Sequence, residues 1–240
     1  ELETLYDKTI MYLSDKINGL KYYRYQAIKY LKSPKKSKYK KADMISIQLA
    51  GIMKTLLVKR IDSSFYAFKQ SLHRYYKVML DMFGNGTIYI APNLKVNELL
   101  SEDKEDELIK LIEEEKYIDP TIEVCTPDDF EAGFEEGIKA DNAILKELVS
   151  MWDAVDVDPK LDIFIQYLKD TLLNKSINHE GKLVIFSESK ETTKYLYDSL
   201  RNHGFDKIMT VQSDNRDIQM PLLKENFDAN YKGDKKNDYN

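Results

Sequence analysis

Between Lys21 and Lys41 the chain gathers nine lysines and arginines and five tyrosines with no acidic residue, KYYRYQAIKYLKSPKKSKYKK. Ammonium groups neutralise phosphates, and phenol rings stack on bases or pack against sugars. Lys35, Lys36, Lys38, Lys40 and Lys41 crowd the second half of the run and are the candidates for such contacts. The structural alternative is that Tyr22, Tyr25 and Tyr30 face a core while the lysines are only solvated. A second constellation, Lys59 and Arg60 followed by Ser63 and Ser64, sets two cations and two hydroxyls within one or two helical turns. That set suits a phosphodiester backbone, unless Arg60 braces an interface between domains or pairs with Asp62. A third is Ser187, Ser189, Lys190 and Thr192, where an apolar strand passes into the first turn of a helix. Open α/β sheets bind ligands at that edge, and helix N-termini favour anions; Ser189 as a plain helix cap needs no ligand. All three point to the same partner, a nucleic acid.

Acid–base catalysis and metal chemistry find less support. Asp128–Asp129 and Asp156/Asp158 are carboxylate pairs explained by helix starts, and His73, His179 and His203 stand far apart. One cysteine, Cys125, allows no internal disulfide and no multi-cysteine zinc site, and fits a reducing, cytoplasmic compartment. No run of about 18 apolar residues suggests a membrane span, and the polar start ELETLYDKT is unlike a signal peptide. The net charge of −5 conceals a strong asymmetry: residues 1–97 carry 18 basic against 7 acidic side chains, and residues 98–136 carry 3 against 16. The acidic block reads as a solvated helix face, with cover for the basic run as its alternative.

Positioning these groups requires helices first. Leu2, Tyr6, Ile10, Leu13, Ile17 and Leu20 recur at helical spacing, with Gly19 as terminator. KYYRYQAIKYL is a second helical stretch, broken at Ser33–Pro34. A long helical pattern from Ala42 resumes at Ile61 and ends at FGNG (83–86), after which GTIYIAP reads as a short strand. Thr126–Pro127–Asp128–Asp129 predicts a helix to about residue 152, its buried stripe including Phe130, Phe134, Ile138, Leu145, Leu148 and Trp152. Asp158–Pro159 predicts the next helix. Then come an apolar strand over 182–187, a helix ended by Gly204, a strand over 207–211 and a short helix over 217–227. Strands apolar on both faces belong inside a parallel sheet. The fold class expected is therefore α/β: a mainly helical region over 1–155 and a βαβ sheet over 156–240.

The run LDIFIQYLKDTLLNKSINHEGKLVIFSESKETTKYLYDSLRNHGF (161–205) resembles the start of the second RecA-like domain of superfamily 2 helicases, closest to the Swi/Snf-like branch. LLVKRIDSSFYAFKQSLHRY (56–75) resembles a signature between the two motor domains of bacterial members. The resemblance covers residues 42–80 and 156–227 and implies an incomplete RecA-like parallel sheet in a motor that binds ATP and Mg²⁺. It implies contacts to DNA, ahead of RNA, near Ser187–Thr192. No G-x-x-x-x-G-K-[ST] loop or DEAH-type box is present, so ATP and Mg²⁺ are expected of the parent protein and not of this stretch. What remains is expected to be a fragment lacking the first lobe and the rest of the second, self-associating through an open sheet edge. The rival reading is a nucleic-acid-binding or scaffold module without a motor.

Overall fold

The computed structural model describes residues 2–14, 17–39, 42–85, 88–90, 123–187, 190–212 and 215–240. They divide into two compact units, one formed by Glu1–Asp62 with Phe68–Val155, the other by Ser63–Ala67 with Asp156–Asn240.

In the first unit, helix Leu2–Ser14 is followed by two 3₁₀ segments, Tyr23–Tyr30 and Lys35–Lys38. The helical pattern expected over 21–31 thus closes into tighter turns. The long helix expected from Ala42 is two helices, Ala42–Ser63 and Phe65–Asn85. The break falls at Ser64, whose Oγ accepts the Ala67 N–H at 3.0 Å, so the second helix is capped rather than continued. Ile88–Ile90 pairs antiparallel with Glu123–Cys125. The TPDD signal at 126–129 opens only a 3₁₀ turn; the helix that follows is Phe134–Asp153, entered through Gly133 at φ 91°. A side chain is strained at that φ, so glycine sets where this helix starts.

The expected stripe of the Phe134–Asp153 helix forms the core, with Phe130, Phe134, Ile138, Leu145, Leu148 and Trp152 all buried. Phe68 meets Trp152 edge-on, ring centroids 5.0 Å apart. The Trp152 Nε1–H donates to Thr9 Oγ1 at 2.9 Å, and Thr9 Oγ1 donates in turn to the Leu5 carbonyl at 2.7 Å. Gly137 admits the Tyr23 ring so closely that a Cβ there would lie 2.4 Å from it.

Asp141 organises the same core. Its carboxylate, 1% exposed, accepts the backbone N–H of Lys21 and of Tyr23, each at 2.8 Å. Between them Tyr22 adopts the left-handed conformation, φ 59° and ψ 40°, which costs a non-glycine residue about 1–2 kcal/mol. Holding the N–H on either side fixes that turn. Tyr22 then stacks on Tyr75 and donates its hydroxyl to the Leu13 carbonyl at 2.9 Å.

The second unit starts its helix Pro159–Tyr167 as the sequence indicates, with Asp158 Oδ1 accepting the Leu161 N–H at 3.1 Å. Helices Lys190–Asn202 and Arg216–Phe227 follow. Gly204 at φ 85° ends the first of these, and the Phe205 N–H reaches back to the Leu200 carbonyl at 3.0 Å. Ile165, Leu168 and Leu200 are the centre of this unit's core.

The α/β expectation fails here. Residues 182–187 and 207–211 form no strands, and the described residues contain no parallel pair and no RecA-like βαβ sheet. A strand exists only where a neighbour meets its backbone N–H and C=O groups. Instead of pairing with each other, the two runs line one cleft of about 930 Å³, with Leu183, Ile185, Ile208 and Val211 among its walls. Two-faced apolarity was the signal for an inner strand, yet Phe186 is 91% exposed and Val184 54%. Among the described residues no helix is long and apolar enough to cross a membrane.

Burial pushes the Asp141 carboxyl above its ordinary 3.8, and the Lys21 and Tyr23 N–H groups offset this only in part. A group raised in this way stabilises the fold fully below pH 3.8 and loses that contribution as pH rises through its folded value. Asp141→Ala should cost about 3 kcal/mol by urea denaturation, the scale for leaving the Lys21 and Tyr23 N–H groups without their acceptor. The loss relative to the wild type should be larger near pH 4 than at pH 7; an equal loss at both pH values would contradict the role given to Asp141.

Candidate nucleic-acid interface

In the second unit, the short stretch Ser63–Ala67 and the helix Lys190–Asn202 bring hydroxyls and rings together. Ser63 Oγ lies 2.9 Å and Ser64 Oγ 3.2 Å from Thr192 Oγ1. Thr192 is 6% exposed, so its hydroxyl is a buried hub serving two serines. Three residues on, one helical turn along the same face, Tyr195 stacks on Tyr66 with ring centroids 4.8 Å apart and planes 3° from parallel. The Tyr195 hydroxyl donates to Asp158 Oδ2 at 3.0 Å, so the residue that caps the 159–167 helix also orients this ring. Burial, and then the Asp158 carboxylate, push the Tyr195 phenol up to about 12. It stays a donor across the physiological range.

The other candidate residues are placed separately. Ser187 and Lys190 are exposed, Lys190 as the first residue of its helix. Thr192 faces inward. Ser189 lies outside the described residues. Lys59 (exposed) and Arg60 (half-buried) sit one turn before the end of the Ala42–Ser63 helix, in the first unit. The Asp62 carboxylate accepts the Tyr6 hydroxyl at 2.8 Å.

The basic segment belongs to the first unit. Tyr22 and Tyr25 are buried, and Tyr25 leans on Tyr75 with centroids 5.4 Å apart. Those two tyrosines therefore belong to the core. Lys35 Nζ lies 2.7 Å from Asp129 Oδ2, and Lys32 Nζ donates to the Asp128 carbonyl at 2.9 Å. Lys36 Nζ donates to the Lys29 carbonyl at 2.6 Å and stands 3.7 Å from Asp43. Lys38 is exposed at the end of its 3₁₀ turn. Lys40, Lys41 and residues 98–122 of the acidic block lie outside the described residues.

Two features escaped the sequence reading. Asp129 reads as a helix-start acid, and nothing in its neighbourhood signals that Lys35, 94 residues earlier, is its partner. The Tyr66–Tyr195 stack has no local signal either, since both tyrosines sit on ordinary helical positions. Among the described residues no cluster of three or more His, Cys, Asp or Glu side chains converges as metal ligands.

Thr192→Val keeps the shape of the hub and removes its hydroxyl, leaving the two serines short of a partner. The expected loss of stability is about 1–2 kcal/mol, with Thr192→Ser restoring most of it; a neutral Thr192→Val would show that the hydroxyls interact only with water. Lys35 first, then the Thr126 N–H, hold the Asp129 carboxyl below its ordinary 3.8. What Asp129 contributes is thus present above pH 3.8 and lost as pH falls through its lowered value. In Lys35→Gln the Asp129 titration midpoint, followed by carboxyl carbon NMR, should move up toward 3.8. An unmoved midpoint would remove Lys35 as its partner.

No protein-family model matches the chain, and no curated protein or solved structure matches it either.

Proposed function

We propose that the chain supplies part of the nucleic-acid grip of an ATP-dependent helicase or translocase of the Swi/Snf-like superfamily 2 type. Its substrate in this reading is DNA, ahead of RNA. The observation that carries the proposal is the meeting of the two runs on which the resemblance rests. Residues 56–75 and 161–205 touch through Ser63 and Ser64 on Thr192 and through Tyr66 on Tyr195. An accidental likeness in either run gives no reason for Ser63–Ala67 of the first to join the second in one unit. The grip itself is assigned to Lys35, Lys36, Lys38, Lys40 and Lys41, to Lys59 and Arg60, and to Ser187, Ser189 and Lys190, with Thr192 positioning its helix. The single cysteine, Cys125, is buried and has no second cysteine to pair with, which suits the cytoplasm.

In this reading ATP and Mg²⁺ are not assigned to these residues. The sequence has no phosphate loop, and the described residues hold no cluster of acids for a metal. Nucleotide and metal belong, in this reading, to the rest of the motor, and no step of hydrolysis is assigned to these residues.

A second reading, a nucleic-acid-binding module with no motor, is favoured by one observation: residues 182–187 and 207–211 lie outside any strand. A strand ending in Thr–Asp and an arginine motif in the reading frame after Asn240 would separate the motor from the module.

Both readings require binding. A short fluorescein-labelled oligodeoxynucleotide, titrated by anisotropy at several salt concentrations, should bind with little sequence preference. Replacing Lys35, Lys36, Lys38, Lys40 and Lys41 with Gln should flatten the log–log salt dependence by roughly 0.7 per lost contact on single strands, or 0.9 on duplex. Absence of binding, or a slope the five substitutions leave unchanged, overturns the assignment of the grip to this segment.

A further inference from the structure

The turn Thr126–Asp129 is pinned to the basic segment by its backbone. The Lys32 N–H donates to the Asp129 carbonyl and the Glu131 N–H to the Tyr30 carbonyl, each at 2.8 Å. Leu31 and Phe130 form an antiparallel bridge, and both side chains are buried. The position of the turn is therefore set by main-chain bonds and apolar packing, and its acidic side chains are carried along. One of them, Asp129, lands on Lys35 at 2.7 Å and also accepts the Thr126 N–H at 2.8 Å. The pair is not sealed: the Lys35 and Asp129 side chains keep 28% and 24% of their exposure. Ion pairs that solvent reaches are weak and exchange readily.

We infer that the Thr126–Asp129 turn is an intramolecular competitor of nucleic acid, its Asp129 carboxylate standing on Lys35 where a phosphate oxygen would stand. The inference rests on the assignment of Lys35 to the grip made above. A carboxylate and a phosphodiester both bring one negative charge to the ammonium group, and the single positive charge of Lys35 is already neutralised by Asp129, so a phosphate gains from it fully only as the carboxylate withdraws. The turn thereby sets a threshold. Weakly held or isolated anions fail to displace Asp129, whereas a strand engaging several neighbouring lysines at once displaces it. The lowered Asp129 carboxyl agrees with this, because Lys35 favours the charged form of the competitor.

The test compares two substitutions that change the net charge equally. Asp129→Asn removes the carboxylate from Lys35 and leaves a carbonyl for the Thr126 N–H. Asp128→Asn removes a carboxylate from the same turn at an exposed position, and the Asp128 carbonyl that receives Lys32 is main chain and stays. Anisotropy titrations with a labelled oligodeoxynucleotide should show tighter binding by Asp129→Asn at every salt concentration. The log–log slope should stay at the wild-type value, because Lys35 meets phosphate in the bound state of both proteins. Asp128→Asn should leave the affinity near the wild-type value, and Asp129→Asn should have no effect in a Lys35→Gln background. Asp129→Ser, whose hydroxyl also serves the Thr126 N–H, repeats the comparison if thermal melting shows the Asn variant unfolded. Equal effects of the two charge substitutions, or an Asp129 variant that binds no better, overturn the competitor while leaving the grip intact. Failure of the wild type and all variants to bind overturns the grip, and the competitor with it.

Discussion

The first unit depends on a buried carboxylate gripping the main chain. Asp141 accepts the two N–H groups that flank Tyr22, and the left-handed Tyr22 exists because both neighbours are held. From that turn the tyrosines of the basic run are directed inward, onto Tyr75 and toward Gly137. Of the lysines that follow, Lys32 and Lys38 are exposed while Lys35 and Lys36 are half-buried. Desolvating the carboxyl opposes this arrangement, and two charge-assisted hydrogen bonds offset it. The basic surface and the aromatic core are thus two sides of one constraint, 120 residues apart in sequence.

The second unit solves its polar problem differently. Three hydroxyls satisfy one another at Thr192, and Asp158 serves both a helix cap and the Tyr195 ring. No charge is buried at the hub. Neutral pairs of this kind contribute modestly to stability but fix geometry, since a misplaced hydroxyl leaves its neighbours one hydrogen bond short. That property suits a place where two distant runs must meet in one register.

The sequence made several helical stripes legible, although the one read over residues 2–20 ends at Ser14. Phe134 through Trp152 and the Asp158–Pro159 start are examples, because burial of one face and capping are both local signals. Boundaries were less legible. Thr126–Asp129 carries every mark of a helix start, and Gly133 postpones the helix. Ser64 divides what periodicity alone reads as one helix. The apolar runs 182–187 and 207–211 misled, since apolarity on both faces reports a wish for burial and not the presence of a neighbour to pair with. At the site, residue types were readable and partners were not. Lys35, Asp129, Tyr66 and Tyr195 each look ordinary in their own window, and only the fold brings them together.

The break at Ser64 has a bearing on how the molecule can be made and divided. Five residues, Ser63–Ala67, belong to the second unit although the chain on both sides of them belongs to the first. During synthesis Ser63 leaves the ribosome 129 residues ahead of Thr192. The second unit can therefore complete itself only after the last of its helices has emerged, whereas most of the first is already available to fold. A gene fragment beginning at Asp156 would encode every helix of the second unit and still omit the hydroxyls and the ring that Thr192 and Tyr195 use. The boundary that looks natural along the chain is thus not a line along which the protein can be cut.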